Sequence, residues 1–402
     1  MTWVRFRRRF AFTRTHDVSH RARIDGDMRS IVQSTRAFEA WMRKRTKVAD
    51  KQLKKKHRKM AAGPLPFLRA TFYRWVERWP EICPRLAGRD EDVLLVVGDL
   101  HVENFGVWLD SRQRLVWGVN DFDEACELPF TSDLVRLATS ALLAAQAADV
   151  KVSASRICEL LIEGYRAGLR TGGEPILLSN RRHPALITLT RNTQENPKAF
   201  WKDKLDPGDN PRIGAGDLPK GLEDMFRASF QPHADLQFRE QKSPGGLGSL
   251  GRRRFTAVET RKNGGRDGRE AKALVPSAQY WHRGQDQMRS QTATLLQHAI
   301  RVPDPHFQVH DEWLVRQLAP DIAKIELPED ADDIRLALAP ALLRLMGRET
   351  ANIHLGSRNG KVLDTLVKRL NRDRFWFSTA TDRMADCTRR DHAEWAQAKR
   401  PA

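Results

Sequence analysis

Cysteine is scarce in this chain of 402 residues: there are four, Cys83, Cys126, Cys158 and Cys387, far apart and with no CxxC pair among them. That excludes a zinc ribbon or a disulfide framework and fits a reducing compartment, so a cytoplasmic location is expected. Long apolar runs are missing as well. None approaches the ~18 residues of a membrane span. The first residues carry charge without the apolar segment of a signal peptide, so neither export nor a membrane partner is expected. His306, His310 and His354 show no metal-ligand spacing. Acidic residues are outnumbered, 51 against 69 Lys and Arg, for a formal charge of +18. The imbalance is local, because residues 1 to 60 hold 19 Lys and Arg against 5 Asp and Glu, and the rest is nearly balanced. Such an arm reads first as a solvated helix face or a tail, and second as a weak site for an anionic partner.

What is present suffices for two domains or one large two-lobed domain, with 40% hydrophobic residues to build a core. Residues 28 to 60 have roughly helical spacing, to be ended by Pro64 and Pro66. The run 67 to 76 reads as a second amphipathic helix, closed by Pro80 and Pro84. The short apolar run 93 to 97 reads as a buried strand, ended by Gly98 and Asp99. It delivers Asp99, His101 and Asn104. A hairpin follows, strands 106 to 109 and 114 to 119 around the turn 110 to 113, and delivers Asp121, Asp123 and Glu124 at its exit. Two carboxylates about 4 Å apart repel by roughly 4 kcal/mol at an effective dielectric near 20, so a convergent set of acids calls for a cation or a shared proton. His101 is expected to fix its loop by hydrogen bonding, and Asp133 to pin the loop backbone from a helix start. Asp123 and Glu124 read equally as metal ligands and as solvated turn acids. Arg69 and Arg316 read as ion-pair residues before phosphate contacts.

Downstream, the helices 134 to 145 and 153 to 169 are followed by an irregular insert, 171 to 240. Gly246, Gly248 and Gly251, with Ser249 between them, form a GxGxxG. Alone this pattern is weak, but here the strand 252 to 260, a turn at 263 to 265 and the strand 270 to 275 follow it. That is a glycine-rich loop over a hairpin, with Lys272 on the second arm, the form in which kinases cover phosphates. Helix 277 to 300, strand 312 to 318, helix 334 to 354 and a polar, basic C-terminus complete the reading. Phe375, Trp376 and Phe377 are the candidate anchors of that C-terminus.

Together, Gly98-Asp-Leu-His-Val-Glu-Asn-Phe-Gly106, Asn120-Asp-Phe-Asp-Glu124, Asp133-Leu-Val-Arg-Leu-Ala138, Gly248-Ser-Leu-Gly251, Lys272 and Arg316-Gln-Leu318 resemble the bacterial family named domain of unknown function 2252, from about Lys55 to about Gly356. That loop in turn resembles the catalytic and metal signatures of aminoglycoside and choline kinases. The resemblance implies an α+β, two-lobed, protein-kinase-like fold, circularly permuted because the catalytic loop precedes the glycine loop. Its parts would be a basic arm 1–60, a helical catalytic lobe 61–240, a β-rich nucleotide lobe 241–330, and a helix returning to the catalytic lobe plus a basic tail 331–402. It implies ATP and Mg²⁺ as cofactors and an unidentified hydroxyl-bearing acceptor. Asp99 would be the base; Asn104 and Asp121, with Asp123, would hold the metal; Lys272 would pair with the phosphates under the loop of Gly246, Gly248, Ser249 and Gly251. AMP transfer on the same fold, and an inactive or nucleic-acid-binding protein, are the alternatives. The chain departs from the kinase pattern in having no Glu in residues 277 to 300, where the lysine's helix partner is expected, and only Asp286 as an acid. It also has Ala273 where the family commonly has Glu.

Overall fold

The structure is a computed structural model that describes residues 29–179, 183–184, 186–188, 196–206, 208, 210–242, 247–285, 289–310, 312–320 and 331–398. It mixes helices with antiparallel sheets. Among the described residues no helix is long and apolar enough to cross a membrane.

The described part of the basic stretch is largely helical. From Ile31 it forms two helices, α1 (Ile31–Arg43) and α2 (Asp50–Met60). Ser30 caps α1 reciprocally with Gln33, which satisfies backbone donors that a helix start leaves open. Ile31, Phe38, Trp41, Met42, Leu53 and Met60 enter the main hydrophobic core. Pro64 does not end the helical region but opens α3 (Pro64–Ala70), at the position where a missing N–H costs nothing. Pro80 sits inside α4 (Phe72–Ile82) rather than closing it, and Pro84 opens the short α5 (Pro84–Ala87).

Strand β1 (Val93–Val96) pairs antiparallel with β4 (Cys126–Pro129). Between them lies the expected hairpin, β2 (Phe105–Leu109) and β3 (Leu115–Val119), extended by β5 (Ile176–Leu177). Helix α6 (Phe130–Ala147) is buried over nearly its whole length. Helix α7 (Ala154–Thr171) packs along the helix Pro340–Leu355, and glycines make the approach possible. A Cβ on Gly164 would lie 1.9 Å from the Arg344 carbonyl, and one on Gly347 would lie 2.0 Å from that of Leu161. The expected helix 334 to 354 is broken by Pro340 into Ala331–Ala337 and Pro340–Leu355, since proline lacks the donor and disfavours helix before it. The expected helix 277 to 300 is instead two short ones, Ala278–His282 and Thr292–His298, with Gly284 at a positive φ between.

The second core is a six-stranded antiparallel sheet in the order β10, β11, β9, β8, β7, β6. Its strands are β6 (Arg212–Ile213), β7 (Leu236–Glu240), β8 (Arg254–Thr260), β9 (Arg266–Ala273), β10 (Gln308–His310) and β11 (Trp313–Leu318). Side chains alternate across a sheet with period two, and here the two faces differ in kind. One carries Phe255, Ala271 and Val315 against Leu222 and Phe226 of the helix Leu222–Ala228. The other carries Arg254, Glu270, Lys272 and Arg316.

The polar C-terminus is a 23-residue helix, Trp376–Ala398, that buries Trp376, Phe377, Met384 and Trp395 in the main core while Phe375 stays exposed. Each such side chain contributes about 1.5–3 kcal/mol by leaving water. Asp391 on this helix accepts two hydrogen bonds from Arg74 of α4, at 2.9 and 3.0 Å.

Candidate functional site

The acidic loops are brought together by their own backbone. Asp133, in the first turn of α6, accepts hydrogen bonds from the N–H groups of Val97 and Gly98, each at 2.9 Å, and so pins the exit of β1 as expected. Gly98 has φ +81° and no room for a side chain: a Cβ would lie 2.3 Å from the Glu124 carbonyl oxygen. Asn120 N–H donates to the Asn104 carbonyl at 2.9 Å. The loop after β1 and the loop after β3 are therefore in direct contact. His101 does the supporting job expected of it: its Nδ1 accepts from Glu103 N–H at 3.2 Å, and its own N–H donates to Asn104 Oδ1 at 2.7 Å.

Asp99 leaves this loop toward Arg136, a fully buried arginine on α6. The Arg136 Nε donates to Asp99 Oδ1 at 3.0 Å, and Arg136 Nη2 bonds both that oxygen and the Leu68 carbonyl. The guanidinium lies over the rings of Phe72 and Trp75. Burial pushes the Asp99 carboxyl up to about 7; Arg136 opposes the rise, and Glu124 and Asp121 add to it. A carboxylate poised near neutrality is suited to taking a proton from a hydroxyl.

The sheet supplies the counter-charges for the other acids. Lys272 Nζ lies 2.6 Å from Asp123 Oδ2 and 3.4 Å from Asp121 Oδ1. Burial lowers the Lys272 ammonium and the two aspartates hold it up. Arg252, directly after the glycine turn, spans Asp123 at 3.1 Å and Glu124 at 3.2 Å. The second oxygen of Glu124 accepts the N–H of Ala278 at 2.7 Å. Asp123 and Glu124 are thus neither solvated turn acids nor a free ligand pair; they are buried in ion pairs, which is how a carboxylate survives removal from water. The lysine's partners are the acids of the loop itself. Asp286 lies outside the described residues.

Gly246 also lies outside them. Gly248 and Ser249 form a short 3-10 turn, Leu247–Ser249. Gly248 sits over Asp99, since a Cβ there would lie 3.4 Å from Asp99 Oδ2. Gly251 has φ +101°, and a Cβ would meet Leu53 of α2 at 2.7 Å. Helix α2 braces this turn. The Ala49 N–H donates to the Gly251 carbonyl at 3.0 Å, Gly251 N–H donates to Gln52 Oε1 at 3.0 Å, and Val48 bridges to Arg252.

Arg69 and Arg316 make ion pairs, as expected: Arg69 with Glu103 at 2.7 Å, Arg316 with Glu270 at 2.7 Å. Glu270 also pairs with Arg254 at 2.7 Å. Burial alone would raise Glu270, but Arg254 and Arg316 hold it well below the usual carboxylate range.

Among the described residues no group of three or more His, Cys, Asp or Glu is placed to hold a metal ion. A Mg²⁺ ion in its open mode would need only one or two carboxylates, with water and phosphate oxygens filling the remaining positions. Asp121 is partly exposed, and Asp123 Oδ1 is a buried oxygen without a hydrogen-bond partner. The side-chain oxygen of Asn104 is engaged by the His101 N–H at 2.7 Å.

Arg136 and Arg252 belong to the site, yet sequence reading gave neither a role. Each had a signal. Arg136 stands three residues after Asp133, hence on the same helical face, and Arg252 follows the last glycine of the loop.

No curated protein and no solved structure matches the chain. A family described as an uncharacterized protein conserved in bacteria, domain of unknown function 2252, matches residues 43–205, the stretch with α2 to α7 and both acidic loops, and this supports the resemblance to that family.

Proposed function

We propose that this chain is an ATP- and Mg²⁺-dependent phosphotransferase acting on a hydroxyl-bearing acceptor, on a circularly permuted kinase-like fold. The observation that carries the reading is the meeting of Lys272 with Asp121 and Asp123, under a glycine turn whose Gly248 faces Asp99. These residues are the parts phosphoryl transfer requires: a base, metal-binding oxygens, a lysine and backbone donors for phosphate. In this reading Asp99 orients the acceptor hydroxyl and takes its proton, and Arg136 keeps that carboxylate ionised near neutral pH. Lys272 holds Asp121 and Asp123 in register. A Mg²⁺ ion bound by Asp121, Asp123 and Asn104 would neutralise phosphate charge.

The permutation is supported by how the end of the helix Pro340–Leu355 docks. His354 Nε2 lies 3.3 Å from Asp133, and Arg358 donates to the carbonyls of Glu91 at 2.9 Å and Val93 at 3.0 Å. That helix therefore ends where β1 begins, so a kinase chain running straight from one into the other would need only a short link. The sheet then follows in the kinase order of glycine turn, lysine strand, helices and strand β11.

The test is a thermal melt with and without Mg-ATP. A ligand that binds only the folded state raises its melting temperature, so the wild type should shift and Asp121→Asn should not. Incubation with ATP labelled at the α or the γ phosphate then separates the chemistry: γ label on an acceptor fits phosphoryl transfer, α label alone fits AMP transfer. Absence of any melting shift in the wild type would sink the nucleotide site.

A further inference from the structure

Six basic residues of α2 look alike in sequence, but the fold separates them. Lys51, Lys54, Arg58 and Lys59 are exposed, whereas Lys56 is 6% exposed. The reason is the brace described above. Gln52, Leu53 and Lys56 share the face of α2 that lies under the glycine turn, at positions one helical turn apart. The Lys56 Nζ reaches the Gly248 carbonyl at 3.5 Å and makes no ion pair among the described residues. After burial, the charges that act on it most are Glu39, Arg252, Glu124 and Asp99.

A buried ammonium without a carboxylate partner is costly, and its place makes the cost informative. The cations that meet the acidic loops at Asp99, Asp121, Asp123 and Glu124 are spoken for: Arg136 by Asp99, Arg252 by Asp123 and Glu124, and Lys272 by Asp121 and Asp123. Among the described residues, an anion entering beside the Gly248 turn meets in Lys56 a cation not already held by a carboxylate. We infer that Lys56 is a phosphate-binding residue of this site, reaching the phosphates from α2 beneath the glycine turn, while Lys272 serves mainly to order Asp121 and Asp123. The assignment rests on the nucleotide reading above and adds a second lysine to it. Burial lowers this ammonium to about 8, so it remains largely charged at neutral pH, and an anionic ligand would hold it in that form.

The experiment compares wild type with Lys56→Met by calorimetric titration against ATP, inorganic tripolyphosphate and adenosine. Loss of a charged hydrogen bond to phosphate weakens ATP and tripolyphosphate by about 10- to 100-fold, with adenosine unchanged. The melting temperature of the ligand-free variant should be no lower than wild type, because no ion pair is lost. A folded variant that binds tripolyphosphate like the wild type overturns the assignment and leaves the nucleotide reading standing. A wild type that binds neither ATP nor tripolyphosphate removes both. Should Lys56→Met fail to fold, wild type is treated with an acyl phosphate of ATP, which acylates amines beside bound phosphates, and its peptides are mapped by mass spectrometry. Acylation of Lys56 that excess ATP suppresses is expected. Acylation confined to other lysines overturns the proposal.

Discussion

Asp99 and Glu270 are both largely buried carboxylates that arginines hold, yet they are driven in opposite directions. Glu270, on the charged face of the sheet, is flanked by two guanidiniums and by Lys272, and its proton is displaced far below the ordinary range. Asp99, on the first acidic loop, has one arginine and is opposed by Glu124 and Asp121, and it rises to about 7. Surplus positive charge makes a carboxylate a permanent anion, fit to hold strands together. A deficit leaves it able to exchange a proton near neutrality, fit for chemistry. Local charge balance, more than burial, separates the acid fixed as an anion from the one able to exchange a proton near neutrality.

The largest effect should come from removing the poised acid. Asp99→Asn keeps the shape but cannot take a proton, and transfer to the acceptor should fall by about 10²- to 10⁴-fold, measured as initial rate with labelled ATP, without loss of folded protein. Next is the structural acid. Glu270→Gln leaves the buried Arg254 and the partly exposed Arg316 without their anion, and unfolding by urea should show a loss of about 3–5 kcal/mol. If the two variants exchanged phenotypes, the comparison would be broken.

Two further changes sharpen it. Arg136→Met removes the cation that holds Asp99 down most, so the acid limb of the pH–rate profile should move upward from about 7, at constant Mg-ATP saturation. The smallest effect is on stability. The folded protein keeps a proton on Asp99 that the unfolded chain has released between about pH 4 and 7, so the native state binds more protons there and stability falls as pH rises, by at most about 1.4 kcal/mol per pH unit. Comparing denaturation midpoints of wild type and Asp99→Asn at pH 5 and pH 8 should show a steeper fall for the wild type. Glu349, raised to about 7 by burial despite Arg301, adds a slope of the same sign to both proteins, and it cancels in the difference.

Much of the secondary structure was legible because its causes are local. The Val-rich run 93 to 97, the hairpin around residues 110 to 113 and the Asn263-Gly264-Gly265 turn each carry their own signal, and each forms. The breaks were less legible. Pro64 reads as a stop until its position at a helix start is known, and the residues after Ser277 read as one helix until Gly284 turns the chain. At the site, the candidate residues were legible by type and spacing, whereas their partners were not. Lys272 lies 151 positions from Asp121, and Arg252 lies 129 from Asp123.

By itself the sequence determined the order of the motifs, the alternation that gives the sheet one apolar and one charged face, and the glycines at Gly98 and Gly251 where backbone φ is positive. These depend on neighbours along the chain. Only the tertiary structure decided which charge answers which. It buried Lys56 while leaving Lys54 in water, paired Lys272 with the acids of a distant loop, and set Asp99 apart from Glu270. The reason is physical: Coulomb interaction and desolvation depend on distance and surroundings in space, and those are fixed only when helix α2, the acidic loops and the charged face of the sheet pack together.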